Sequence, residues 1–214
     1  MILYHFPTSP VSRRVRLALA LKALPVELRD ARAVPEHRAT VNRLNPMHTV
    51  PVLVDEEDDA VVFDSTAICH YLDRKFPDPP LWPAGMAGAE AFQITALADA
   101  VSNILSDCGM RYHALHQDPA FPDVSANVVG RAQRALDELA RRAAARAGEA
   151  PLCGDRWGGA DIALYCLITW LEGLPGRAAN FPPAGWVAAL GWTLPPELTR
   201  WADQHRSRPD VLAL

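Results

Sequence analysis

Three short stretches bring hydroxyls, a carboxylate and open backbone groups to the starts of regular elements. In Pro7-Thr8-Ser9-Pro10-Val11-Ser12-Arg13-Arg14-Val15-Arg16, a short apolar run hands over to a helix-forming segment. A hydroxyl there lies beside the unpaired N–H groups of a helix start, where the macrodipole favours negative charge. A thiolate at that point would be stabilised by the hydroxyl and the helix end together. Ser9 as a plain helix cap, with Pro10 at the first helical position, satisfies the same pattern. In Asn45-Pro46-Met47-His48-Thr49-Val50-Pro51-Val52-Leu53, Pro51 opens a strand-like run, the place in a sheet where proline is tolerated. A cis Val50–Pro51 bond would turn the Val50 N–H and C=O outward, ready to pair with a ligand as a strand would. A proline that simply ends a loop is the alternative. In Phe63-Asp64-Ser65-Thr66-Ala67-Ile68, a carboxylate, a hydroxyl and free N–H groups gather at one helix start. That set can grip the ammonium and carboxylate of an amino acid together, or serve as an ordinary cap.

The elements that must position these groups follow from periodicity. Ile2 to Phe6 reads as a strand, and Val11, Val15, Leu17, Leu19 and Leu21 lie in a helical Arg/Ala/Leu segment. Val26 to Asp30 alternates as a second strand, and Pro35 to Leu44 reads as a short helix or irregular turn. Pro51–Val54 and Ala60–Phe63, joined by the acidic tip Asp55-Glu56-Glu57-Asp58-Asp59, signal a hairpin. Ser65 to Phe76 closes this half as a helix, giving β-α-β-α-β-β-α. Pro77, Pro79, Pro80 and Pro83 then punctuate a stretch that cannot be helix interior. The expected division is therefore a domain over 1–76, a linker over 77–87 and an all-helical domain over 88–214. Within the last, helices are expected over Ala89–His116, Ser125–Ala147, Gly159–Leu171 and Pro196–Arg206. Gln117 to Pro122 reads as a loop, and Pro175 to Leu194 as loops around one short helix.

Composition narrows the function classes. The 214 residues are 50% hydrophobic, enough for a packed core, and the formal charge of −4 leaves no basic footprint for nucleic acid. Arg131 to Arg134 and Arg141-Arg142 are spaced among Ala and Glu as on a solvated helix face. Cys69, Cys108, Cys153 and Cys166 show neither CxxC nor metal-ligand spacing, and read as reduced, buried thiols. No apolar stretch approaches the ~20 residues of a membrane span, and the N-terminus lacks a basic leader. A soluble, cytoplasmic protein is expected. His113 and His116 have three-residue spacing but no third ligand nearby, so no metal is expected.

Taken together, the three sites resemble the cytosolic glutathione S-transferase superfamily, on the side of its bacterial, serine-type, zeta- and theta-like members. NPxxxVPVL before the hairpin and DSxAIxxYLD after it are similar to the family's thioredoxin-like domain. Pro-Asp-Pro-Pro-Leu-Trp-Pro resembles the interdomain linker. Gly158-Gly159-Ala160-Asp161-Ile162-Ala163-Leu164 resembles the family's ADIAL helix start, and Leu198 to Leu214 its final helix and tail. The resemblance implies an α/β thioredoxin-like domain followed by an all-α bundle, with glutathione as co-substrate. It implies that Ser9 donates a hydrogen bond to the glutathione sulfur, with Thr8 as its one-residue rival and Ser12 nearby. Val50 would pair its backbone with the cysteinyl unit beside cis Pro51, His48 or Thr49 would reach the glycine carboxylate, and Asp64 and Ser65 would hold the γ-glutamyl end.

The same resemblance implies a homodimer and a detoxification role: conjugation of the thiol to a small electrophile, or isomerisation of a dienoic acid. Asp99, Asn103, Ser106 and Asp107 form a stripe that could face the partner subunit. Met110, Arg111, Tyr112 and His113 could line an acceptor pocket. Two departures stand out: Asp64 where Glu is commoner, and Gly158 where Ser or Thr is usual, which predicts a slightly weaker helix start. With no cysteine near Ser9, the mixed-disulfide chemistry of the omega and beta types is not expected. A non-catalytic protein that binds glutathione or a hydrophobe on the same fold is the alternative.

Overall fold

The computed structural model describes residues 1–146 and 150–212. The order is β1 (Ile2–His5), α1 (Pro10–Leu21), β2 (Glu27–Asp30), α2 (Pro35–Leu44), β3 (Val52–Asp55), β4 (Ala60–Phe63), α3 (Ser65–Lys75), α4 (Gly85–Leu115), α5 (Phe121–Ala144), α6 (Gly159–Glu172), α7 (Leu174–Arg177), α8 (Pro182–Ala188), α9 (Pro196–His205) and α10 (Pro209–Leu212). The chain forms two compact units, Met1–Pro83 with the C-terminal segment from Ser207, and Ala84–Arg206. The first is an α/β thioredoxin-like domain and the second is all-helical.

In the α/β unit the sheet order is β2-β1-β3-β4. β1 and β2 are parallel, so they need the α1 crossover, while β3 is antiparallel to both β1 and β4. Strand alternation divides the core. Ile2, Tyr4 and Val52 pack with Ala31 and Val41 on one face. Leu3 and Leu53 point to the other, where Val15, Leu19, Ile68 and Leu72 of α1 and α3 are also fully buried. The acidic hairpin tip is clasped by α3: Lys75 Nζ lies 2.7 Å from Asp55 Oδ2, and Tyr71 donates to Asp55 and Asp58 at 2.8 Å. Burial pushes the Asp55 carboxyl up, but hydrogen bonds from Lys75, Tyr71 and the Glu57 N–H outweigh it, and its pKa falls below the ordinary range. Buried Lys22, just past α1, donates to Asp73 at 2.9 Å and to the carbonyls of Phe76 and Pro79 at 2.6 Å. It therefore ties the proline-rich stretch to this unit. α10 also packs against α1, so the tail joins the first unit rather than the helical one.

The helical unit holds no strand among its described residues. α4 begins at Gly85, inside the expected linker. α5 begins at Phe121, four residues before Ser125, with Pro122 in its first turn rather than in a loop. That turn has no intrahelical acceptor for its N–H groups, so proline costs nothing there. The expected end of this helix, Ala147, lies outside the described residues, as does the end of the tail. The stretch 175–194 contains two short helices instead of one. α8 packs against α4 at Gly109, where an added Cβ would lie 2.4 Å from Val187 Cγ2. α6 is buried almost all round, as a helix at the centre of a bundle must be.

Candidate functional site

The topology brings the three chemical stretches to one sheet edge. Tyr4 is paired with Val52 and Val52 with Phe63, so β1 ends, β3 begins and β4 ends side by side. Ser9, Val50, Pro51, Asp64 and Ser65 all lie just beyond that line.

Ser9 is half-buried and caps α1: its Oγ accepts the Ser12 N–H at 3.3 Å, and Pro10 opens the helix. The cap uses a lone pair and leaves the hydroxyl proton available for a further acceptor. Ser12 Oγ is turned inward and accepts the Phe6 N–H at 3.4 Å. Thr8 is exposed and accepts from Arg32 Nη1 at 3.2 Å. Arg32 and Arg38 also lie 4.7 and 5.6 Å from the centre of the Phe6 ring, close enough for cation–π attraction. His5 at the end of β1 is buried, and burial together with the nearby Arg16 charge lowers its pKa.

The Val50–Pro51 peptide is cis. Among the described residues, Val50 has no backbone hydrogen-bond partner, so its N–H and C=O are open to a ligand. The loop before it is organised by buried Asn45. Its Nδ2 donates to Thr49 O at 2.8 Å and Thr49 Oγ1 at 3.1 Å, and its Oδ1 accepts the Met47 N–H at 2.9 Å. His48 and Thr49 are exposed, with His48 at φ 52°. Asn45 stands in the NPxxxVPVL stretch, but nothing in the sequence marks it as the loop's anchor.

Asp64, rather than Ser65, is the N-cap of α3, at φ 63° and ψ 141°. A non-glycine residue there costs about 1–3 kcal/mol and clusters at ligand sites. Its Oδ1 accepts the Thr66 N–H at 2.7 Å, and the carboxylate remains exposed. The Ser65 N–H has no partner among the described residues, while the Ser65 side chain is buried. From α1, buried Arg14 sends Nη1 to Ser65 Oγ at 3.3 Å and Thr66 Oγ1 at 3.0 Å. Sequence reasoning passed over Arg14, because an arginine in an Arg/Ala helix looks solvated.

The other candidates lie in the helical unit. On α4, Asn103, Ser106 and Asp107 are exposed and Asp99 is half-buried. Asp107 is paired with Arg111 at 2.8 Å. Met110 is exposed, Tyr112 meets Phe121 edge-on, and His113 stacks on Trp186 with centroids 4.1 Å apart. His116 Nδ1 lies against the carbonyls of Tyr112 and His113. No group of three or more metal-ligating side chains occurs among the described residues. All four cysteines are buried and unpaired with one another, and burial pushes the Cys153 thiol up to about 11. At the start of α6, Gly158 makes no side-chain cap bond, while buried Asp161 accepts the Gly158 N–H at 2.9 Å and the Leu152 N–H at 2.8 Å. No described helix is long and apolar enough to cross a membrane.

Comparison with known proteins bears on the family and the fold. Residues 3–80 match the family described as glutathione S-transferase, N-terminal domain, and residues 122–204 match its C-terminal domain. A probable maleylacetoacetate isomerase of Vibrio cholerae is 41% identical over 102 residues, which is 46% of this chain and 46% of that protein. The chain thus spans less than half the length of that relative. A probable glutathione S-transferase of Oryza sativa subsp. indica is 32% identical over 181 residues, covering 79% of this chain and 73% of that protein. The crystal structure of a glutathione S-transferase from Methylobacterium radiotolerans, in complex with glutathione sulfonate, superposes with a TM-score of 0.74 at 29% identity. The superposition covers 99% of this chain and 92% of that one. With a relative 32% identical over 79% of this chain and 73% of its own length, and with both domain descriptions matched in order, the chain belongs to the cytosolic glutathione S-transferase superfamily.

Proposed function

We propose that the protein binds glutathione along the sheet edge and activates its thiol for attack on a small electrophile or for isomerisation of a dienoic acid. The observation that carries this is the open Val50 backbone, set between two helix starts that both present hydroxyl groups. The tripeptide's cysteinyl unit pairs with Val50 beside Pro51, as an added strand would. Ser9 donates its proton to the sulfur, and the start of α1 adds its partial positive charge, so the thiolate forms nearer neutral pH than the ~8.5 of an ordinary thiol. Asp64 takes the γ-glutamyl ammonium, and the Ser65 N–H and hydroxyl take its carboxylate. His48 or Thr49 meets the glycine carboxylate. A thiolate held this way attacks a soft electrophile directly. With a dienoic acid it adds, allows rotation about the bond that has become single, and leaves again, so glutathione is returned.

The glutathione sulfonate bound in the Methylobacterium glutathione S-transferase supports the ligand and the transfer reaction, and the Vibrio relative, a probable maleylacetoacetate isomerase, supports the isomerisation. The helical unit is proposed to supply the acceptor pocket, with Met110, Arg111, Tyr112 and His113 as candidates. A twofold dimer with α4 facing its copy is proposed for the assembly. Sedimentation at micromolar concentration should show about twice the 23.4 kDa chain mass. The test of function is retention on immobilised glutathione, followed by turnover of a general aromatic electrophile and of a cis-dienoic acid. Retention without turnover across such a panel would assign the chain to non-catalytic glutathione binders. Absence of retention would overturn the reading.

A further inference from the structure

Within the helical unit, α5 and α9 pack together and leave a cleft of about 230 Å³ between them. Ala143 and Ala144 line it from α5 with methyl groups, Arg146 from just past that helix, and Glu197, Arg200, Trp201 and Gln204 from α9. Ordinary surface roles account for part of this set. Arg200 donates to Glu197 at 2.9 Å, an exposed pair one turn apart that adds little stability. Arg146 stands where positive charge suits the end of a helix. The rest is left over. The Arg146 guanidinium lies 3.8 Å from Glu90, beyond hydrogen-bond distance, and Gln204 makes no side-chain hydrogen bond among the described residues. Trp201 is 3% exposed and packs on His205 with ring centroids 4.4 Å apart, yet its indole N–H meets no acceptor among the described residues. Buried donors in native proteins are nearly always paired, so one left open in a cavity wall marks a place for an acceptor.

We propose that this cleft is a binding site for a small monocarboxylate. Arg146 and Arg200 against Glu197 leave the lining with one net positive charge, which one negative charge balances. A phosphate ester, at about −1.5 to −2 near neutral pH, would overshoot it. A carboxylate also matches the planar fork of a guanidinium. Its acid group lies between the two arginines, with the Trp201 and Gln204 N–H groups as further donors. An adjoining cavity of about 300 Å³ shares Ala144 and Glu197 and is bordered by Ala140 and Pro195, so a short apolar body has room beyond the acid. Asp137 and Arg141 flank that second cavity, and Arg141 is already held by Glu138. Small-molecule sites run from about 300 to 1,000 Å³, so the ligand is of metabolite size. The site draws no residue from the α/β unit and stands independently of the glutathione reading.

The full chain, labelled with nitrogen-15, is titrated with butyrate, hexanoate and benzoate, and with benzyl alcohol and inorganic phosphate as the neutral and multivalent comparisons. Trp201→Phe identifies the Trp201 indole N–H resonance among those of the six tryptophans, and calorimetry on the arginine variants decides the matter if that variant does not fold. At least one of the three carboxylates should bind saturably and move that resonance, while benzyl alcohol does neither and phosphate binds at least tenfold more weakly. Arg146→Gln and Arg200→Gln should each weaken the carboxylate by about tenfold or more, the usual loss for a hydrogen bond to a charged group. Arg131→Gln, exposed on α5 outside the cleft, should change nothing. Glu197→Gln, which raises the net charge of the lining, should narrow the gap between phosphate and carboxylate. Thermal melting confirms that each variant is folded. Absence of saturable binding by all three carboxylates at millimolar concentration would overturn the proposal, as would binding that both arginine variants leave unchanged. Phosphate binding as tight as the best carboxylate would overturn the choice of a monocarboxylate.

Discussion

The starts of α3 and α6 are built from the same parts and do opposite things. Each has an aspartate accepting backbone N–H groups at a helix N-terminus, where negative charge is favoured. At α6, Asp161 is 1% exposed and both carboxylate oxygens are engaged, one by Gly158 and one by Leu152. At α3, Asp64 is exposed, one of its oxygens accepts a backbone N–H and the other has no backbone partner among the described residues, and its φ of 63° carries strain. The first aspartate closes its helix and locks the preceding loop. In the function proposed above, the second leaves its helix start open to a ligand, at a conformational cost that a purely structural cap would not need. Whether a helix N-terminus is a staple or a ligand site is decided by who fills it, and motif letters alone do not say.

The comparison can be broken most forcefully at Asp161. Asp161→Ala removes two hydrogen bonds to a buried charge, each worth about 1.5–3 kcal/mol. Denaturant titration should show a loss of about 3 kcal/mol or more, with glutathione affinity of the folded fraction unchanged. Within the same helical unit, Gly109→Ala forces a Cβ against Val187. Overpacking of that kind costs about 1–3 kcal/mol and should appear as a lower Tm. Asp64 sharpens the contrast from the other side. Asp64→Gly relieves the positive φ and loses only an exposed cap, so stability should change by about 1 kcal/mol or less. Glutathione binding, followed by calorimetry, should weaken by tenfold or more. A large stability loss in Asp64→Gly with intact binding would reverse the roles assigned here.

The effect that depends on pH lies at the opposite edge of the sheet, in the Asp55 clasp. The folded-state pKa of Asp55 is depressed, so its contribution is fully present above the unfolded value of ~3.9 and is lost as pH falls through the folded value. Acid unfolding of Asp55→Asn and wild type, compared below about pH 4, should converge, while wild type is the more stable near neutrality.

Much of the α/β unit was legible because its signals are local. Ile2 to Phe63 alternates at strand spacing between helical segments, and Pro10 and Ser9 mark a helix start by chemistry that needs no tertiary partner. The same holds for exposed Arg141 on α5, which pairs with Glu138, whereas Arg142 is mostly buried and also reaches Gln93 and Glu90 of α4. What escaped depends on distant contacts. Pro122 reads as a loop residue because a first-turn proline and a loop proline look alike in sequence. The helix α8 is short and rich in Pro, Gly and Trp, and is held by the notch at Gly109 and by Trp186 on His113. The missing side-chain cap at Gly158 is legible in the letters, but the bond from the Leu152 N–H to Asp161, nine positions away across a loop, is not. Arg14 meets Ser65 across 51 positions, which no periodicity could reveal.

The central claim is that the Ser9 hydroxyl stabilises a glutathione thiolate, and it is tested most directly by titrating the ultraviolet thiolate band of bound glutathione in wild type, Ser9→Ala and Thr8→Ala. Wild type should titrate well below the ~8.5 of an ordinary thiol. Ser9→Ala should titrate upward toward that value while keeping nearly full glutathione affinity, because Val50, Asp64 and Ser65 hold the rest of the tripeptide. Turnover should fall about tenfold to a hundredfold, the loss of one hydrogen bond to a charged group, without vanishing, since the start of α1 remains. Thr8→Ala should leave the titration in place. A shift in Thr8→Ala alone would move the role one residue along, and no shift in either variant would contradict the claim and leave Ser9 a helix cap.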